Sequence, residues 1–130
     1  MAWLFFLLGL ALLSIAFVVW SLLRRRVKIP LQQKTHLRHA WNAAIEIKDP
    51  SLRVMEAEKV CDAVFKALGY TGTFAEKLNQ AGPRLEHVDA IWNAHRLRNK
   101  IAHEVHVRVS AAQSDRALQV FAQIVHRFLA

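Results

Sequence analysis

Residues 96–104 read "RLRNKIAHE", and three of these side chains carry what phosphodiester chemistry asks for. Arg98 can neutralise a crowded phosphate, His103 can move a proton near neutral pH, and the amide of Asn99 can orient either. That division of labour calls for no metal ion and no cofactor. Spacing adds a condition. With Val88 as the zero of angle, Val88, Ile91, Trp92, His95, Asn99 and Ala102 fall within a helical band of about 100°. Arg98 stands on one edge of the band and His103 on the other, about 140° apart. On one straight helix they do not face each other. They converge if the helix ends near Ala102, or if two copies of the helix pack across a two-fold axis and double the set. The plainer expectation is that Arg96, Arg98, Lys100 and Glu104 form a solvated helix end, where cations complement the helix dipole.

His95 and Asn99 sit on the packed band, where an unpartnered polar group costs about 1–3 kcal/mol, so both require partners. The neighbouring "HEVH" at 103–106 is not a zinc-protease motif. That chemistry needs histidines four apart on one helical face, and His106 follows His103 by three. "GYTG" at 69–72 lacks the Gly-Lys-Ser/Thr of a phosphate loop, and Gly69 reads as the residue that ends a helix. His36, His39, His87 and His126 are scattered over helix positions where solvated or hydrogen-bonded roles are the default. Cys61 is the single cysteine, so neither a disulfide framework nor a cysteine zinc set can be built. Its place in an apolar stripe predicts a buried thiol.

Helices must position these side chains. Leu37, Ala40, Trp41, Ala44 and Ile45 recur at three- and four-residue spacing, predicting a helix over about 32–47 beyond Pro30. Asp49 as N-cap and Pro50 at the first helical position start the next, over about 50–68. On it Val54, Ala57, Cys61, Val64, Phe65 and Leu68 form one stripe, with Lys59, Asp62 and Lys66 opposite. Thr73 with Glu76 predicts a capping box for a short helix over 74–81, which Gly82-Pro83 stops. A helix over about 84–103 carries the motif, 107–109 is extended or loop, and Ser110 with Gln113 caps a last helix over about 111–129. The expected fold class is all-α: an antiparallel bundle of four main helices plus one short one, behind an N-terminal transmembrane helix.

Residues 2–23 belong to a different solvent. They contain no charged side chain, and at about 1.5 Å per residue they cross a hydrocarbon core of about 30 Å. Trp3 and Trp20 stand where indole rings favour the headgroup layer. A cleaved signal peptide would want a basic start, a shorter apolar run and a small-residue cleavage site, and none is present. The expected organisation is an anchor over 1–23, a basic juxtamembrane linker over 24–31 and a helical domain over 32–130. Arg24, Arg25, Arg26 and Lys28 favour the cytosolic side for the domain beyond them, giving a single-pass protein of the cell membrane with its C-terminal domain in the cytosol.

The net charge of +8 sits mostly beside that membrane. Positions 24–38 hold 6 of the 18 basic residues and no acidic one, whereas 39–130 hold 12 basic and 10 acidic residues. The partner expected for residues 2–23 and the basic flank is the lipid bilayer, with about 1 kcal/mol per basic residue near an anionic surface. A high isoelectric point is no sign of nucleic-acid affinity by itself.

"RNKIAH" at 98–103 resembles the R-x4-6-H motif of HEPN domains, with a polar residue after the arginine as is usual there. The surroundings agree: an all-α domain of this size, "DPSLRVMEAEKVCDAVFKALGY" as its long helix, and the motif near the end of another. The likeness covers about residues 32–129, and the chain is similar to small membrane-tethered bacterial versions. HEPN domains are commonly metal-independent endoribonucleases that act as dimers, with the motif arginine and histidine in a cleft at the dimer interface. The resemblance therefore implies an RNA substrate and a homodimer formed through the helix that carries Arg98 and His103. Arg98 would stabilise the phosphate, His103 would transfer a proton to or from the 2′-hydroxyl or leaving oxygen, and Asn99 would orient them. Many toxin-type members carry a tyrosine two positions after the histidine, where this chain has Val105. Other members are catalytically silent interaction modules. In such a module Arg98, Asn99 and His103 would form a hydrogen-bonded knot between subunits, or would be held by internal partners such as Glu46 or Glu104.

Overall fold

The computed structural model of the chain describes residues 1–23 and 27–130. Arg24, Arg25 and Arg26, three of the charges on which the topology reading rests, lie outside the described residues. Among the described residues every regular element is helical: α1 (Ala2–Leu23), α2 (Leu31–Ile45), α3 (Pro50–Ala67), α4 (Phe74–Ala81), α5 (Val88–His103) and α6 (Ala111–Leu129). A 3-10 turn over Gly82–Arg84 joins α4 to α5. The apolar helix α1 is long enough to cross a membrane, and none of that stretch is buried against the rest of the chain.

Local chemistry sets the boundaries. Asp49 accepts from the Leu52 N–H at 2.7 Å, with Pro50 in the first turn. Thr73 with Glu76 and Ser110 with Gln113 both form complete capping boxes, each side chain answering a backbone N–H that the helix leaves open. Gly69 ends α3 at φ +89°, a left-handed conformation that a side chain would strain. The α5 helix starts later than the spacing predicts. Pro83 lacks an N–H, Leu85 is extended, and His87 turns the chain at φ 52° before the first turn at Val88.

The central element is α3, which packs against α2, α4, α5 and α6. Its expected stripe is buried throughout, and Val54, Ala57, Cys61, Val64 and Phe65 are wholly inaccessible. Burying each large apolar side chain there contributes about 1.5–3 kcal/mol. Pairings fix the directions of the helices. Arg53 near the start of α3 bonds Ser114 near the start of α6 at 2.9 Å and pairs with Asp115. Phe65 near the end of α3 meets Phe128 near the end of α6, 6.3 Å between ring centres. These two helices are therefore parallel, which departs from the expected antiparallel neighbours. Short connections force antiparallel packing only on consecutive elements, and two elements intervene here. By contrast, Glu58 on α3 reaches His95 and Arg98 late in α5, while Tyr70 beyond the end of α3 reaches Arg84 ahead of α5. So α5 runs against α3.

Two further packing details bear on the site. Ile29, expected in the linker, is buried in the core, and a methyl of Val27 lies 3.5 Å from where a Cβ on Gly69 would stand. The α5 helix packs on both α3 and α6, so Ala94 is buried as well as Ile91, while Ala102, expected in the packed band, is exposed.

Candidate functional site

His95, Arg98 and Asn99 occupy neighbouring turns of α5, and α3 supplies the group they share. That group is Glu58, only 4% exposed. Its Oε2 lies 2.8 Å from His95 Nδ1. On the other side of the imidazole, Nε2 stands 3.2 Å from Asn99 Nδ2. Asn99 Oδ1 accepts a long bond of 3.4 Å from Arg98 Nη1. Arg98 Nε, finally, is 3.3 Å from Glu58 Oε1, within ion-pair reach though its N–H is not aligned for a hydrogen bond. The four side chains close a ring. Phe74 lies over the imidazole, ring centres 4.9 Å apart and 32° between planes, and Trp92 meets its edge at 5.9 Å. These rings hold the imidazole in one orientation.

Burial raises the Glu58 carboxyl above its ordinary value of 4.5. The hydrogen bond with His95 and the charges of His95 and Arg98 pull it back down, and the charge of Asp62 adds to the rise. Over the ring opens a cavity of about 440 Å³ between α3, the start of α4 and α5. Lys77, itself buried, pairs with Asp62 at 2.7 Å in its wall. Lys59 stands at the rim and pairs with Glu56 at 3.2 Å. Three fixed cations thus face two carboxylates in the lining, counting Arg98, Lys59 and Lys77 against Glu58 and Asp62. Such a cavity can take an anionic group, but only one that competes with the carboxylates already there.

Two of the three expected site residues are brought together, since Arg98 and Asn99 both line the cavity. His103, the last residue of α5, is exposed and stands outside its wall. The internal partner of Arg98 is Glu58 rather than Glu46 or Glu104. Partners for His95 and Asn99 were required by their place on the packed band, and each has one in the other. Glu58 itself escapes the motif. Its signal is its angle, about 40° from Val54 and at the edge of the apolar stripe of α3 just beyond Phe65, where a lone carboxylate must find a cation or donor.

The remaining candidates have plainer places. His106 lies past the end of α5 at φ 62°, so it shares no helical face with His103. Among the described residues no group of three His, Cys, Asp or Glu side chains is placed to share a metal ion. Cys61 is the buried thiol its stripe predicts, and burial pushes its pKa well up, with the charges of Glu58 and Asp62 adding to the rise. No family model matches this sequence, and no curated protein or solved structure matches it either.

Proposed function

We propose that the chain is a membrane-anchored, HEPN-like domain that cleaves RNA as a homodimer without a metal ion. The observation that carries this reading is the place of Arg98, whose side chain is 32% exposed on the wall of an open cavity beside Asn99 and His95. In the reaction the 2′-hydroxyl oxygen attacks the adjacent phosphorus and gives its proton to a base. The bond from phosphorus to the 5′-oxygen breaks, that oxygen takes a proton, and the products are a 2′,3′-cyclic phosphate and a 5′-hydroxyl. Arg98 neutralises the crowded phosphate, and Asn99 orients the guanidinium. His103 carries the proton. Because His103 is exposed at the end of α5 and outside its own chain's cavity, it serves the cavity of a second copy packed against α5. Helix α1 holds the dimer in the cell membrane, with the basic flank keeping the bundle in the cytosol.

The test is cleavage of end-labelled RNA by the full chain in detergent with EDTA. Products ending in a cyclic phosphate are expected, and Arg98→Ala is expected to reduce the rate by about 10²-fold or more. Cleavage that needs added metal, or that ignores Arg98→Ala, contradicts the reading. A second reading is a partner-binding module without activity. It is favoured by the closed ring, in which Glu58 already engages both Arg98 and His95. On that reading a folded dimer leaves RNA intact.

A further inference from the structure

The anchor and the bundle meet at a defined place. Ile29 is buried in the core and Val27 packs beside Gly69, so the chain is fixed to the bundle from Val27 onward. From Leu23, where α1 ends, to Val27 there are four peptide units, a reach of at most about 15 Å. The end of the bundle that holds Val27 is therefore drawn to within that distance of the point where α1 leaves the bilayer. Tyr70, next to Gly69, leads from there to Arg84 through a hydrogen bond of 3.1 Å. The start of α2 belongs to the same end: Lys34 donates to the Ala130 carbonyl at 3.2 Å and Arg38 donates to that of Leu129.

A cavity of about 870 Å³ opens at this end between the 3-10 turn and α6, with Arg84, His87, His126 and Arg127 in its wall and Glu86 as the one acidic lining residue. Both arginines are already held in place. Arg84 donates to the Tyr70 hydroxyl, its guanidinium lies 4.8 Å from the centre of the Phe128 ring, and its carbonyl accepts from Arg127 Nε at 3.1 Å. Arg53 and Arg98 are paired with carboxylates. Among the described residues Arg84 and Arg127 pair with none, Glu86 included. Two guanidiniums in one cavity wall, neither paired with a carboxylate among the described residues, supply donors suited to phosphate.

We propose that this cavity binds the phosphate of an anionic phospholipid headgroup and seats the bundle on the membrane. The tether decides the source, because it keeps the cavity beside lipid phosphate at all times. The proposal rests on α1 spanning the bilayer and is independent of RNA cleavage. Seated in this way, the bundle turns the opposite end, where α5 stops at His103, away from the surface.

The experiment uses the full chain in nanodiscs of phosphatidylcholine alone or enriched in phosphatidylglycerol, with amide hydrogen exchange followed over 82–87 and 123–130. Exchange in both segments is expected to slow only in the anionic discs, and Arg127→Gln at its exposed position is expected to weaken the docking about fivefold. Unchanged exchange in α3 shows that the variant is folded. Raising the salt concentration on the unmodified chain reads the same dependence without a substitution, and protection should fall. Equal exchange in the two discs, protection that survives high salt, or protection untouched in Arg127→Gln overturns the proposal. So does full protection in neutral discs on adding inorganic phosphate or an RNA oligonucleotide, either of which makes the cavity a general anion site.

Discussion

Glu58 holds the candidate site together, because a single buried carboxylate serves both His95 and Arg98. Glu58→Ala removes the acceptor from both and is expected to lower stability by about 1–3 kcal/mol, read from urea unfolding. An unchanged midpoint would mean that the ring contributes nothing to the fold. The pH dependence has a definite sign. Burial raises the Glu58 pKa, so folding favours the protonated form relative to the unfolded chain. Its contribution is complete below the ordinary value of 4.5 and is lost as pH rises through the raised folded value. Glu58→Gln stays neutral and escapes that loss. The stability difference between the two proteins should therefore move in favour of the variant as pH climbs through this window, and parallel curves would contradict the assignment. Helical arithmetic reaches His95 and Asn99, because it places polar groups on a packed face that must satisfy them. It reaches Arg98 through the motif. Glu58 is harder to find, since its pairing with α5 is made by tertiary packing between segments 37 residues apart, and only its angle at the edge of the α3 stripe gives it away.

At the scale of the helix, capping chemistry and periodicity carry most of the information. The short helix begins at the Thr73–Glu76 box and ends before Gly82, and α6 begins at its own Ser110–Gln113 box. Ser110→Ala should cost about 1 kcal/mol and lower the melting temperature by about 4–8 °C, because the N–H of Gln113 loses its acceptor. A thermal scan that shows no shift would mean that water replaces the cap at no cost. Two features of the elements escape local reading. The start of α5 is set by how Pro83, Leu85 and His87 re-aim the chain, and periodicity cannot see a turn inside a run of mixed residues. The parallel α3–α6 pair arises because both helices present apolar faces to the same core, joining Cys61, Val64 and Phe65 to Phe121, Ile124 and Phe128. Nothing along the chain states which helices will meet when they are not consecutive.

At the scale of the whole molecule, composition alone separates the apolar helix α1 from the bundle. Residues 2–23 carry no charge, and the adjoining flank over 24–38 holds a third of the basic residues. The full chain is expected to stay with membranes through an alkaline carbonate wash, while a chain beginning at Val27 is released by it. Release of the full chain would make α1 something other than an anchor. Two cavities of the bundle differ in character, one over the Glu58 ring and one between the 3-10 turn and α6. In the first, Arg98 and Asn99 are present and His103 is not, so the proposed nuclease takes His103 from a second copy. Mixing Arg98→Ala chains with His103→Ala chains tests that claim most directly. Each variant alone should be inactive on RNA in EDTA. After subunits exchange, half of the dimers hold one of each chain and one intact site of two, so about a quarter of the unmodified activity should return. A mixture that forms dimers yet stays inactive would contradict the composite site.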